Sequence, residues 1–191
     1  MSTRETKSLT FRLDDSVLGE LQKEADQREI SLNVLTNQIL RRYSEWDRYE
    51  NKIGMMPVPK VMLSTLIDRT ISVAKENGLK DKDIAGYREL FTKEAAKAAL
   101  DLMKDSVLLM KKSYNLWTVL AVLQEYMKVS GINSDHKIEA GGKHVFIIQH
   151  ELGQNWSEFT AQLIKMIFEE LANVRANVMS TPNTVVAEVV L

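Results

Sequence analysis

The feature that most constrains the fold is a short run of strict alternation between polar and apolar residues near the start of the chain. The run is Ser8-Leu9-Thr10-Phe11-Arg12-Leu13, and a period of two is typical of a strand with one buried face. Asp14 and Asp15 follow it, and carboxylates in that position can cap the start of a helix. The sequence therefore predicts a short strand that leads directly into a helix.

Two amphipathic helices are predicted after this strand. In the first, apolar residues recur at helical spacing from Val17 to Ala25, and the pattern runs out at Gln27. A polar break then leads to Ser31, which is a suitable N-cap for a second helix. The apolar face of the second helix is marked by Leu32, Leu35, Ile39, Tyr43 and Trp46.

This order of strand, helix and Ser-capped helix resembles the ribbon-helix-helix family of regulators, which includes the Arc, MetJ and CopG repressors. The resemblance covers roughly residues 7–46. It implies that strands from two copies pair antiparallel into a ribbon, and that this ribbon enters the major groove of double-stranded DNA. It also implies that Leu9, Phe11 and Leu13 point into the core of an obligatory homodimer, because a lone strand with two helices buries too little surface to fold alone.

The resemblance assigns two groups of DNA-binding residues. Ser8, Thr10 and Arg12 would face base edges, and Arg12 can donate two hydrogen bonds to a guanine. The N-terminus of the second helix would hold a DNA phosphate through its backbone N–H groups. That second group comprises Ser31, Leu32 and Asn33, with Arg4 and Lys7 as additional phosphate contacts on the arm before the strand.

The charge of the chain gives little support to nucleic-acid binding. The whole sequence has a formal net charge of -1, and residues 1–60 contain 10 Lys and Arg against 10 Asp and Glu. A DNA-binding module usually carries a basic excess. The sequence-specific regulator therefore has an alternative, a plasmid-partition or antitoxin-like adaptor in which the ribbon module serves mainly for assembly.

Pro57 and Pro59 mark a linker at residues 51–60, since prolines move the preceding residue out of the helical region. The predicted domains are a DNA-binding and dimerisation domain at 1–50 and an effector-binding or oligomerisation domain at 61–191. In the latter we expect helices over 61–77, 87–112 and 116–129, a hairpin turning at Gly141-Gly142, a helix from near Asn155 and a valine-rich strand at 184–191. The predicted fold class is α+β, a ribbon-helix-helix module followed by a mostly helical domain with a small C-terminal β-sheet.

The histidines are candidate metal ligands and candidate residues of a small-molecule pocket. His144 and His150 are six residues apart on one strand, roughly 20 Å, which is too far to share an ion. A turn at Gly141-Gly142 would place His144 opposite Glu139 on the surface. For His150 and Trp156 two interpretations stand: Gly153 turns the chain, Asn155 caps a helix and Trp156 packs in the core, or His150 and Trp156 line a small-molecule pocket.

No motif in the sequence indicates catalysis. It contains no Gly-rich phosphate loop, no serine nucleophile elbow and no His-Glu-x-x-His zinc motif, so we expect neither an enzyme nor a bound cofactor or metal. It contains no cysteine, which suits the reducing cytoplasm. It also lacks an export signal and any apolar run long enough to span a membrane. The expected partners are double-stranded DNA, a second copy or a higher oligomer, and a small-molecule effector.

Overall fold

The computed structural model describes residues 7–190 of the chain. It divides into two compact units, with the boundary between Arg48 and Tyr49. The first unit holds two helices, and the second holds helices together with a four-stranded antiparallel sheet. The fold class is therefore α+β.

The two helices predicted for the first unit are confirmed. Helix α1 spans Asp15–Gln27 and helix α2 spans Leu32–Arg42. The backbone after α2 continues as a π-helical turn, Tyr43–Asp47, and as the short helix α3, Arg48–Glu50. Ser31 is the N-cap of α2, and its hydroxyl accepts a hydrogen bond from the Val34 N–H at 3.2 Å. This bond satisfies one of the donors that a helix start leaves without a partner.

The predicted strand Ser8–Leu13 is not formed in the single chain. Residues 7–14 adopt neither helix nor strand, because a strand needs a hydrogen-bonded neighbour and all the pairings of the described strands lie in the second unit. The apolar members of the alternating run are exposed, with relative accessibilities of 75% for Leu9, 52% for Phe11 and 48% for Leu13.

Burial in the first unit is sparse. Among the described residues up to Arg48, the buried apolar side chains are Ala25, Leu35 and Trp46. The predicted apolar face of α2 is thus only partly buried, since Ile39 and Tyr43 remain exposed.

The second unit begins with three helices that the sequence predicts. They are α4 at Lys60–Glu76, α5 at Asp81–Lys111 and α6 at Leu116–Val129. Helix α5 starts six residues before the predicted 87. The sequence prediction missed this start because the helix opens with the polar run Asp81-Lys82-Asp83, although the next residue, Ile84, is buried. Helix α6 starts at a capping box, in which the Asn115 carboxamide accepts from the N–H of Thr118 and the Thr118 hydroxyl accepts from the N–H of Asn115.

The sheet has the strand order β1-β2-β4-β3. Its strands are β1 at Asn133–Glu139, β2 at Lys143–Gln149, β3 at Ala176–Thr181 and β4 at Thr184–Val190. The predicted hairpin exists, but its turn is Ala140–Gly142, with Gly141 and Gly142 at φ of 78° and 75°. Sequence reasoning missed β3, whose six residues show no clear alternation.

Helices α6 and α7 cover one face of this sheet, where α7 is the helix Gln154–Met166, followed by a π-helical turn at Ile167–Leu171. The core lies between these layers and contains Val119, Leu123, Phe146, Phe168 and Val185. The long helix α5 packs on α7. Within the described part of the chain, no helix combines the length and apolar character needed to cross a membrane.

Gly153 offers a test of the turn that starts α7. Its backbone, at φ 82° and ψ 176°, lies in a region that is essentially restricted to glycine. We expect Gly153→Ala to lower the free energy of unfolding by about 1–3 kcal/mol, measured by urea denaturation. Gly86 lies inside α5 with open space around it, so Gly86→Ala should raise stability by about 0.5–1 kcal/mol. Equal effects of the two variants would contradict this account.

Candidate nucleic-acid interface

The three side chains predicted to read bases are all accessible. Ser8, Thr10 and Arg12 are exposed, and they alternate with the exposed apolar side chains of the same segment. In an extended conformation the two sets would lie on opposite faces. The segment therefore has the residue pattern of a strand with one apolar and one polar face, although in the single chain it has no strand partner.

The predicted phosphate contacts converge at the start of α2. Ser31 and Asn33 are exposed and Leu32 is half-buried. The backbone N–H groups of Leu32 and Asn33 lie in the first turn, where a helix supplies no carbonyl partner. The positive end of the helix dipole lies at the same point. The Asn33 side-chain oxygen accepts from the Asn37 amide at 3.2 Å, so the backbone donors are the groups best placed for an anion.

Several cations of the first unit are paired with carboxylates. Lys23 pairs with Glu20 at 2.8 Å, and Arg42 pairs with Asp47 at 3.0 Å. Among the described residues, neither Lys7 nor Arg12 forms a salt bridge of this kind. Lys7 and Arg12, on the segment before α1, share this lack of a salt bridge with the exposed Arg41 of α2, so all three cations are accessible to a phosphate or a base. Arg4, the remaining predicted phosphate contact, lies outside the described residues.

The structure brings the two predicted pocket residues together in the interior of the second unit. His150 and Trp156 are both buried, and their rings meet edge to face at a centroid distance of 4.5 Å. The Leu152 N–H donates to His150 Nδ1 at 3.1 Å, so the ring proton lies on Nε2, which donates to the Ser157 hydroxyl at 2.8 Å. In this arrangement His150 cannot accept a proton from Ser157.

The capping role predicted for Asn155 is wrong. The N-cap of α7 is Gly153, which makes the turn as expected. Asn155 lies inside the first turn, and its side-chain amide donates to the Asp68 carboxylate of α4 at 2.8 Å. This side chain therefore joins two helices instead of capping one.

The predicted pairing of His144 with Glu139 is also wrong. The three-residue turn shifts the register by one, so Ile138 lies opposite His144 and Glu139 lies opposite Lys143. His144 lies on the same face of β2 as the core residue Phe146 and is 5% exposed. Its Nδ1 lies 2.9 Å from Nε2 of His136, whose ring stacks on Phe146 at 4.2 Å. Sequence reasoning missed this pair because the two histidines meet diagonally across the hairpin.

These contacts do not assemble a metal site among the described residues. Within residues 7–190 there is no group of three or more His, Asp or Glu side chains that could hold a metal ion. A cavity between α6 and the sheet, lined by Leu123, Met127, Phe146 and Ile148, has a volume of about 20 Å³. This volume accommodates about one water molecule.

The buried His150 predicts a pH dependence of stability. Burial lowers the pKa of His150 below its ordinary value, because the interior disfavours the imidazolium. The unfolded chain then binds a proton below about pH 6.5 that the folded chain does not. The free energy of unfolding should be constant above that pH and decrease as the pH falls below it.

Urea denaturation between about pH 7.5 and 5.5 measures this dependence, and His150→Gln should reduce it. His136→Gln is the comparison variant. It should reduce the pH dependence as well, because burial and the neighbouring His144 also lower the pKa of His136. A His150→Gln variant with the full pH dependence of the parent would show that this histidine is not the group responsible.

No protein-family model matches this chain, and it has no significant match among curated proteins. The two features of this chain that fit a nucleic-acid interface are the exposed alternating segment at residues 8–13 and the capped start of α2.

Proposed function

We propose that this protein is a sequence-specific DNA-binding regulator that acts as a homodimer. Residues 8–13 of two copies would pair antiparallel, and the resulting two-stranded ribbon would enter the major groove, which is wide enough to admit it. The observation that carries this proposal is the exposed apolar alternation of Leu9, Phe11 and Leu13 in a unit with few buried side chains.

Dimerisation would supply the burial that the first unit lacks. Beyond the ribbon, its two helices also expose apolar side chains, namely Val17, Leu18, Val34, Ile39, Leu40 and Tyr43. A fully buried side chain of this kind contributes about 1.5–3 kcal/mol. Burying the exposed fractions of Leu9, Phe11 and Leu13 in both copies would contribute on the order of 5–10 kcal/mol. This gain and that from the helices together are comparable with the roughly 4–15 kcal/mol cost of association.

Pairing through the apolar face would present Ser8, Thr10 and Arg12 to the DNA. Arg12 supplies the strongest specificity, because its guanidinium can donate two parallel hydrogen bonds to guanine. Thr10 can use its hydroxyl or its methyl group, and Ser8 its hydroxyl. The start of α2 at Ser31, Leu32 and Asn33 would anchor the backbone, with Arg4 and Lys7 adding phosphate contacts.

The second unit would then serve as an effector-binding or oligomerisation domain. The burial of His150 and Trp156, whose rings are in contact with each other, favours an assembly role over an effector pocket at these two residues. An adaptor whose first unit serves only for dimerisation remains the second candidate, since residues 1–60 have no basic excess. DNA binding separates the two.

Hydrogen exchange tests the pairing of residues 8–13. A peptide that covers this segment should exchange slowly in the parent protein, because ribbon hydrogen bonds protect alternate amides. Phe11→Ser should restore fast exchange by removing apolar surface from the dimer core. Leu102→Ser is the matched control, since Leu102 is 65% exposed on α5. Fast exchange of the segment in the parent protein would contradict the ribbon.

Arg12→Ala tests DNA reading. A library of duplexes selected on the parent protein should yield a preferred site, and the variant should lose about 1–3 kcal/mol of discrimination at one base pair. Arg69→Ala, which removes an exposed arginine of α4, should leave the preference unchanged. If the parent protein forms a dimer with a protected ribbon and selects no sequence, the adaptor is favoured and the regulator is excluded.

A further inference from the structure

The edge strand β1 has an open side. It pairs with β2 along one side only and stands at the end of the sheet order. Six of its seven residues are exposed, and His136 is half-buried. Such an edge presents unpaired backbone groups and is a template for pairing with another strand.

One backbone N–H group of this edge donates to the side chain of the preceding residue. The His136 N–H donates to the Asp135 carboxylate at 2.9 Å and therefore does not bond to β2. The same carboxylate lies 3.5 Å from Lys137 Nζ. Both interactions are local and exposed, so a neighbouring strand could replace them at little cost.

The charges of β1 are complementary to those of a second β1. In an antiparallel pair centred on His136, all seven residues find a partner, and Asp135 of each copy lies opposite Lys137 of the other. Asn133 lies opposite Glu139, and Ser134 lies opposite Ile138. Opposite charges at facing positions stabilise a strand pair.

Neighbouring registers are less favourable. Centring the pair on Asp135 places two aspartates opposite each other, and centring it on Lys137 places two lysines opposite each other and Asp135 opposite Glu139. Like charges at facing positions destabilise a pair. Centring it on Ile138 matches Lys137 with Glu139 but extends into the turn at Ala140–Gly142 and leaves the first half of the strand unpaired. The register on His136 is the one that combines full length with matched charge.

We propose that β1 docks antiparallel against β1 of a second copy of this chain, with His136 on the two-fold axis, to form a continuous eight-stranded sheet. Residues of the same parity face each other in this register, so the helices of both copies stay on one side of the sheet. The exposed side chain of Ile138 would be covered at the same time. The opposite edge, β3, has no charged residue and so offers no comparable definition of register.

This interface goes beyond the proposed function, because it lies in the second unit and uses none of the DNA-binding residues. It would join chains independently of the ribbon. If the ribbon and the β1 interface join the same two chains, the protein is a dimer held by both interfaces. If they join different chains, dimers assemble into larger oligomers, which would suit repeated half-sites on DNA.

The absence of cysteine allows a direct test of the register. Ser134→Cys and Ile138→Cys place thiols at exposed positions that face each other only between copies. Mixed and oxidised, the two full-length variants should form a disulfide-linked pair, whereas each alone should not. Ser134→Cys mixed with Thr181→Cys, an exposed residue of β3, controls for random collision. A mixed yield no higher than this control, or efficient linking of Ile138→Cys alone, would overturn the proposed pair.

Charge reversal tests the cause of the pairing. Lys137→Glu, added to both cysteine variants, would place acidic side chains opposite each other and should lower the cross-linking yield about tenfold. Adding Asp135→Lys to these chains restores opposite charges and should restore the yield. Both residues are about 60% exposed, so folding should persist. An unchanged yield with Lys137→Glu, or no recovery in the double variant, would contradict the proposal.

The two proposals fail separately. DNA selection and exchange at residues 8–13 report only on the first unit, and cross-linking at residues 134 and 138 reports only on β1. Loss of the cross-link with DNA selection intact would remove the β1 interface alone, and the reverse result would remove the regulator alone.

Discussion

The main physical constraint on this protein is the shortage of buried apolar surface in its first unit. Ala25, Leu35 and Trp46 are its buried apolar side chains among the described residues, while a larger number of apolar side chains on the segment 8–13 and on both helices stay exposed. A unit of this size is stable only when it buries more than that. In the proposed homodimer, a second copy would supply the missing contacts, and the same pairing would turn the alternating segment into a strand with a polar face directed outward.

The second unit solves its burial problem within one chain. Helices α6 and α7 cover one face of the sheet, and the core between them is continuous from Val119 to Val189. The edge strands β1 and β3 of its sheet each keep one side without a strand partner. In the two proposed interfaces, each unit would associate with the same unit of a second copy. The first unit would do so by apolar burial, and the second by strand pairing whose register is set by charge.

The helices could be predicted from the sequence because their signals are local. Apolar residues at helical spacing, together with the N-cap Ser31, define starts and faces within a few positions of the chain. The hairpin register could not be predicted as well, since one extra residue in the turn exchanges every facing pair. That single shift replaced Glu139 by Ile138 opposite His144 and placed His136 on the same face of the hairpin as His144.

The sequence by itself determined the helical segments and the existence of the hairpin, since each depends on a period carried by neighbouring residues. The strand that it predicted at residues 8–13 is not formed in the single chain. The tertiary structure decided which side chains of these elements are buried and which distant residues they contact. It placed His150 against Ser157 and Trp156, joined Asn155 to Asp68 and left β1 at an open edge. Those outcomes depend on contacts between residues distant along the chain, and their geometry follows from turn length and packing, which no local pattern encodes.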